Sequence, residues 1–334
     1  MSRHLLSRSL LLAAGFSLCA TAQATELTFA TDSGARGSPV GDSLDRWAEI
    51  IEQETAGTPD EISVNVFYEE ELGSQSELYD LHMAGEVDMM IVWPQTSYDA
   101  RMGLRNVPYM FVEWDDALAA YEQGGWLNEL YNDVHNDLGL MFFGAYPEGF
   151  AGISTQDEYA LTPGEASGMT IRVPANFPNP QTVQAMGYSS QSIDWGEVYT
   201  ALQTGVVDGG GGNVIYWDYE YFRDVVDYYV RTRHTFVTGV LSANQVSWEQ
   251  LNENQQEIVA EAAATVSEEQ FEAAYEEDKM YVEKAQEAGM TYIDPSHDEL
   301  AELALPVREQ VWPELDRDFD PEMIEAIEEN AVEF

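Results

Sequence analysis

Val87-Asp88-Met89-Met90-Ile91-Val92-Trp93 is a nearly continuous apolar run just behind Gly85. A strand whose successive side chains are apolar is buried on both faces, as in a parallel sheet covered by helices. The run therefore points to α/β architecture, and its surroundings agree. Leu27-Thr28-Phe29-Ala30 reads as a first strand. Gly37-Ser38-Pro39 opens a helix whose Leu44, Trp47, Ile50 and Ile51 share one face, stopped at Thr55-Ala-Gly57. Ile62, Val64, Val66 and Tyr68 alternate as in a half-buried strand. Ser74, with Glu77 at capping-box spacing, starts a helix to about His82. Strand, helix, strand, helix, strand is the α/β order.

The order begins again after residue 138. Leu138–Tyr146 and Met169–Val173 read as strands, Gly196–Thr204 as a helix and Val206-Val207 as the next strand. Gly85-Glu-Val-Asp88 and Gly205-Val-Val-Asp208 each close a helix and open a strand, an echo expected of two lobes with similar local geometry. From Leu251 to Met290 the chain is rich in Glu and Ala and reads as long helix, with Ile258, Ala262, Val266 and Phe271 approximating one stripe. About 310 residues follow the leader described below, too many for one typical core, so two lobes are expected. No linker separates them, so the chain is expected to cross between lobes more than once.

Arg3 and Arg8, the apolar stretch Leu10–Phe16 and Ala22-Gln-Ala24 make residues 1–24 a secretory signal, cleaved after about Ala24. Its apolar run is too short to span a bilayer. It carries the only cysteine, Cys19, so the exported protein has no disulfide. Beyond it stand 12 basic and 61 acidic residues, a net charge of −49, with Lys279 and Lys284 the only lysines. Such a charge excludes nucleic acid and anionic membranes as partners. The acids are spread along a chain that is 45% hydrophobic, which describes a folded protein with a solvating acidic coat suited to high salt.

No enzyme motif is present: no G-x-S-x-G, H-E-x-x-H, P-loop or zinc spacing. His82, His135, His234 and His297 lack metal-ligand spacing and read as structural or exposed. No metal and no cofactor is expected. Gly209–Gly212 lacks the Lys-Ser/Thr of a phosphate loop and reads as a place where the backbone turns sharply or approaches a ligand. Arg172, a scarce cation between Ile171 and Val173, is either half of a structural ion pair or a clamp for a ligand carboxylate. Trp93, Tyr146, Phe150, Trp195, Tyr216, Trp217 and Tyr219 could wall a pocket for one small ligand.

Ile171-Arg-Val-Pro174 and Gly196-Glu-Val-Tyr-Thr-Ala-Leu-Gln-Thr-Gly-Val-Val-Asp-Gly209 resemble the solute-binding subunits of tripartite ATP-independent periplasmic (TRAP) transporters, the DctP-type family. So do Ser38-Pro-Val-Gly41, Leu72-Gly-Ser74 with Glu77-Leu78, Gly85-x-Val87-Asp88-Met89 and Val107-Pro-Tyr-Met-Phe111. The matches run in order from about residue 27 to about 265. The resemblance implies a two-lobed periplasmic binding protein, each lobe a mainly parallel sheet flanked by helices, with a long bridging helix. It implies residues 25–147 plus 236–278 as lobe I, 148–235 plus 279–334 as lobe II, and a ligand cleft between them. It implies a receptor and not an enzyme, which closes over a small organic carboxylate and delivers it to membrane permease subunits for ion-gradient-driven uptake.

In the family, the arginine of the I-R-V-P-like strand holds the ligand carboxylate, and Arg172 stands there. Two departures make this pocket leaner. Gly210, Gly211 and Gly212 replace the usual Gln-Glu-Asn, with Asn213 one position late, and Ala151 stands where a second arginine often follows Gly-Phe. A monocarboxylate or a zwitterion is then expected over a dianion. Ala145-Tyr-Pro-Glu-Gly149, Trp195 and Ser242-Ala-Asn-Gln245 are similar to the ectoine-binding branch, which implies that Asp32 could meet a ligand cation while Trp93, Trp195 or Trp217 stacks on it. The expected ligand-binding set is Arg172, Trp195, Asp32, Glu77, Trp93, Phe150, Asn213 and Trp217. Binding proteins of ATP-driven importers share the broad architecture, and an exported Glu/Asp hydrolase is the alternative of another class.

Overall fold

The computed structural model describes residues 24–334; most of the expected leader lies outside them. The strands are β1 (Thr25–Thr31), β2 (Ile62–Phe67), β3 (Met89–Val92), β4 (Leu140–Phe150), β5 (Gly152–Thr155), β6 (Thr170–Val173), β7 (Ser189–Ser192), β8 (Gly209–Asn213), β9 (Tyr228–Val230), β10 (Phe236–Asn244) and β11 (Thr291–Ile293). They form two sheets, ordered β2-β1-β3-β10-β4 and β11-β9-β5-β8-β6-β7. In the first sheet β1 pairs parallel with β2 and β3, and β10 runs antiparallel between β3 and β4. In the second, β5 is the one reversed strand, antiparallel to β8 and β9. Each sheet is thus mixed, with a single strand running against the rest.

The two glycine-valine-aspartate motifs are true structural counterparts. Gly85 and Gly205 both adopt left-handed backbone, φ 75° and 68°, which ends the helix without the penalty a Cβ would bring. Three residues on, the Asp88 and Asp208 carboxylates each accept the main-chain N–H of a parallel neighbour, Thr28 and Thr170, both at 2.7 Å. The same two aspartates donate their own N–H to the Thr28 and Thr170 carbonyls. Each motif therefore locks one strand in register beside its neighbour at the sheet's starting edge. The opposite, C-terminal strand ends are left free for a ligand.

The expected strand at Val206-Val207 falls instead on Gly209–Asn213, and the glycine run is not a turn. β8 is squeezed between β5 and β6. A Cβ on Gly211 would lie 3.2 Å from Ile171, and one on Gly209 would lie 2.9 Å from both Ile171 and Thr155. The glycines allow close sheet packing, and only Gly212, at φ 93°, departs from strand geometry.

The chain crosses between sheets at Ala151, joining β4 to β5, and at 231–235, joining β9 to β10. The crossings are stitched together: Ala151 N–H donates to Thr235 O and Arg233 N–H to Ala151 O, each 2.9 Å. The helix Glu253–Glu287, started by an Asn252/Gln255 capping box, lies across both halves. Ser267 and Gln270 donate to the Ala145 and Pro147 carbonyls of β4, at 2.7 and 2.8 Å. Farther along the same helix, Asp278 forms a buried ion pair with Arg231 of the crossing. Tyr281 then packs on Tyr216, with ring centres 4.7 Å apart.

Candidate functional site

A cavity of about 490 Å³ opens between the sheets at the C-terminal ends of their parallel strands. Its walls come from the segments following β1, β3, β6, β7 and β8, and from the crossings. The volume suits a ligand of one or two dozen heavy atoms.

Arg172, on β6, is 5% exposed and lines it. Its Nε donates to the Ile193 carbonyl at 2.8 Å, which fixes the guanidinium plane. Trp195 lies alongside, 5.8 Å from ring centre to guanidinium carbon. Burial pulls its pKa down to about 10, against the upward influence of Asp218 and Asp194, so it stays charged. Seven of the ten arginines among the described residues sit in ion pairs with carboxylates. Arg172 is not one of them, in a chain with a large excess of acid. The ion-pair reading of this side chain thus finds no partner among the described residues. Asn213 lines the same wall, its amide oriented by donation to Asp218 at 2.8 Å.

Three tryptophans form an edge-to-face chain across the cavity. Trp93 and Trp217 have ring centres 6.0 Å apart, and Trp217 and Trp195 5.9 Å. Glu148 ties the chain together. Trp93, from the first sheet, donates its indole N–H to one carboxylate oxygen, and Trp217, from the second, donates to the other, both at 3.0 Å. Burial raises the Glu148 carboxyl to about 8, opposed by these two bonds and by Arg105.

The other expected residues fall elsewhere. Glu77 is exposed and turned back on its own helix, accepting the Ser74 N–H and hydroxyl at 2.9 Å each, and the bonds to Ser74 lower its pKa. Phe150 is in the core, edge-to-face with Trp114 and Phe236. The cause is a bulge: Pro147 pairs with Thr238 and Gly149 with Val237, leaving Glu148 as the extra residue. A bulge re-aims the side chains beyond it, so Glu148 takes the cavity face and Phe150 the core. Asp32 is buried one residue behind the lining Ser33, and neither of its carboxylate oxygens has a hydrogen-bond partner among the described residues. Burial raises it to about 7, with Arg105 pulling the other way.

Arg105 was not expected. It lies in the 3₁₀ segment Ala100–Asn106, anchored by donation of its N–H to the Tyr131 hydroxyl at 2.7 Å. It lines the cavity and has no ion pair among the described residues. The scarcity of cations that singled out Arg172 applied equally to Arg105, but no periodic element marked its position.

His82, His135 and His234 are buried with pKa values pushed down to about 4 by burial, so they are neutral core residues, while His297 is exposed. Among the described residues no helix is long and apolar enough to cross a membrane.

Residues 29–316 match the family model of the bacterial extracellular solute-binding proteins, family 7 (DctP). The chain belongs to that family, whose members are solute receptors and not enzymes. It is 26% identical over 234 residues to a solute-binding protein of Chromohalobacter salexigens, covering 70% of this chain and 68% of the relative. It is 28% identical over 195 residues to the ectoine-binding periplasmic protein TeaA of Halomonas elongata, covering 58% of this chain and 54% of TeaA. The fold is that of a TRAP periplasmic solute-binding protein of Chromohalobacter salexigens crystallised with D-glucuronate, at 21% identity and a TM-score of 0.80, covering 91% of this chain and 99% of that one.

Proposed function

We propose that this chain is the extracytoplasmic receptor of a TRAP transporter and that it binds a small carboxylate-bearing organic solute between its lobes. The observation that carries the reading is Arg172, a buried and fixed guanidinium that lines a walled cavity and forms no ion pair with a carboxylate among the described residues. A buried cation gains most from a charged acceptor in bidentate geometry. Asn213 supports the same carboxylate from β8, and Trp195, Trp93 and Trp217 shield it from water.

In this reading lobe I comprises 25–147 and 236–278, and lobe II comprises 148–235 and 279–334. The stitched crossings serve as the hinge, and a ligand held by both lobes favours the closed form. The mature protein, cleaved after about Ala24, works in the periplasm and hands solute to membrane permease subunits driven by an ion gradient. Titration calorimetry with a panel of carboxylates tests the reading. Arg172→Ala is expected to lower affinity by at least about 2 kcal/mol, and unchanged affinity with lost stability would make the arginine structural.

A second reading within the same role is a zwitterion such as ectoine. It is favoured by Asp32, a buried carboxylate that follows β1 directly and precedes the cavity-lining Ser33, and by the indole faces available to a delocalised cation. TeaA, named as an ectoine binder, is among the relatives. Competition between ectoine and simple carboxylates decides between the two.

A further inference from the structure

The departures read from sequence describe a pocket with one cation, whereas the cavity holds two, on opposite walls. Arg172 projects from the second sheet, and Arg105 from the segment following β3 of the first. Arg105 Nε is buried without a hydrogen-bond partner among the described residues. The next residue, Asn106, is 6% exposed, lines the same cavity, and its side-chain amide nitrogen is likewise buried and unpartnered. Two adjacent buried donors without acceptors are costly, and such groups are ordinarily satisfied by protein, water or ligand.

The protein candidates for that acceptor are Asp32 and Glu148, both within electrostatic reach of Arg105. Neither forms an ion pair with it. Both Glu148 oxygens are taken by indole N–H groups, and Arg105 donates to neither oxygen of Asp32 among the described residues. Both carboxyls are held above the usual range by burial, so neither is a committed counter-ion near neutral pH.

We propose that Arg105, with Asn106, determines ligand specificity by receiving a second oxygen acceptor of the solute at the end remote from Arg172. The solute is then an acid with a second carboxylate or a hydroxyl-bearing far end, and not a simple monocarboxylate. Such a ligand is held by one arginine from each lobe, so each end gains its partner only when the lobes close. Affinity and closure are thereby the same event. The inference rests on the reading of Arg172 as the carboxylate clamp.

Matched pairs of ligands test it: butyrate against succinate, and cyclohexanecarboxylate against D-glucuronate. The first pair shares a skeleton length and differs only in the far-end carboxylate; the second shares a ring size and differs in the ring oxygen and hydroxyls, those at the far end included. Affinities are measured by calorimetry on wild type, Arg105→Met, Arg105→Lys and Arg172→Ala. In wild type at least one two-ended member is expected to bind at least tenfold more tightly than its partner. In Arg105→Met the ratio for that pair falls to within about twofold, with the single-ended acid changing less than threefold, and Arg105→Lys restores part of it. Thermal melts of each variant report folding separately, and the ratio is read within a variant, so a loss of stability does not imitate the result. The inference is overturned if Arg105→Met weakens both members equally, which would make Arg105 the counter-ion of Asp32. It is equally overturned if ectoine binds tightest and ignores Arg105→Met. Failure of every acid to bind wild type, or indifference of all of them to Arg172→Ala, removes the underlying carboxylate reading instead, and this proposal with it.

Discussion

Glu148→Gln gives the sharpest physical prediction because both sides of the change are defined. In the native state the carboxyl is buried, accepts one indole N–H on each oxygen, and is raised from 4.5 to about 8. An acid whose folded pKa is raised binds its proton more tightly folded than unfolded. Its contribution to stability therefore falls as pH rises from about 4.5 to about 8 and levels off above that. The slope is about 1.4 kcal/mol per pH unit for one proton, so wild type loses on the order of 2 kcal/mol between pH 6 and 8 through this group alone. Glutamine does not titrate. Its amide presents a donor to one of the two indoles, so one hydrogen bond is lost at every pH, a constant cost of about 1 kcal/mol. The difference in melting temperature between Glu148→Gln and wild type should then move in favour of glutamine by on the order of 5 °C from pH 6 to pH 8. Asp32 and Asp218, both raised to about 7 by burial, titrate in both proteins and cancel. Melts followed by tryptophan fluorescence in molar NaCl at pH 6, 7 and 8 measure this. Parallel curves would refute the reasoning, because Glu148 would then be ionised throughout or exposed to water.

Three further outcomes follow from the same geometry. Asp88→Ala and Asp208→Ala each leave a strand N–H without its acceptor and should each cost about 1–3 kcal/mol in urea unfolding, with ligand affinity unchanged; an effect at only one of the two would break the equivalence of the motifs. Arg172→Ala should leave the unliganded melting temperature within a few degrees of wild type, since the side chain makes one hydrogen bond and no ion pair. The melting temperature should rise steadily with NaCl, as the screening length shrinks from about 10 Å at 0.1 M to about 3 Å at 1 M and relieves repulsion among the acids; a salt-independent melt would contradict the acidic-coat reading.

Much of the framework was legible because it is written in local patterns. The apolar run at Val87–Trp93, the Ser74/Glu77 capping box and the two Gly-x-Val-Asp motifs are each interpretable within a few residues, and all stand in the fold as strand, cap and paired strand locks. Arg172 was legible because a guanidinium among apolar strand residues needs a partner wherever it points. The rest depended on contacts far apart in sequence. Four glycines in a row suggest a sharp turn or a close approach to a ligand, whereas Gly209 and Gly211 serve the close approach of β5 and β6. Phe150 is expected at the ligand, but a bulge, invisible without the partner strand, separates it from Glu148, which a regular strand would place on the same face, and leaves only Glu148 on the cavity. The capping-box spacing of Glu77 already assigns its side chain to the helix start, where one carboxylate oxygen accepts both the Ser74 N–H and its hydroxyl and the group is turned away from the cavity. Arg105 was missed because its segment has no period, and only the fold brings it opposite Arg172.

The measurement closest to the central claim is calorimetric titration of the purified mature protein in molar NaCl with small mono- and dicarboxylates, sugar acids and ectoine, on wild type and Arg172→Ala. Tight binding of at least one carboxylate-bearing solute, recovered chemically unchanged and weakened at least about 30-fold in Arg172→Ala, is what a clamp between closing lobes requires. Equal affinities in the two proteins, or conversion of the bound solute, would contradict it.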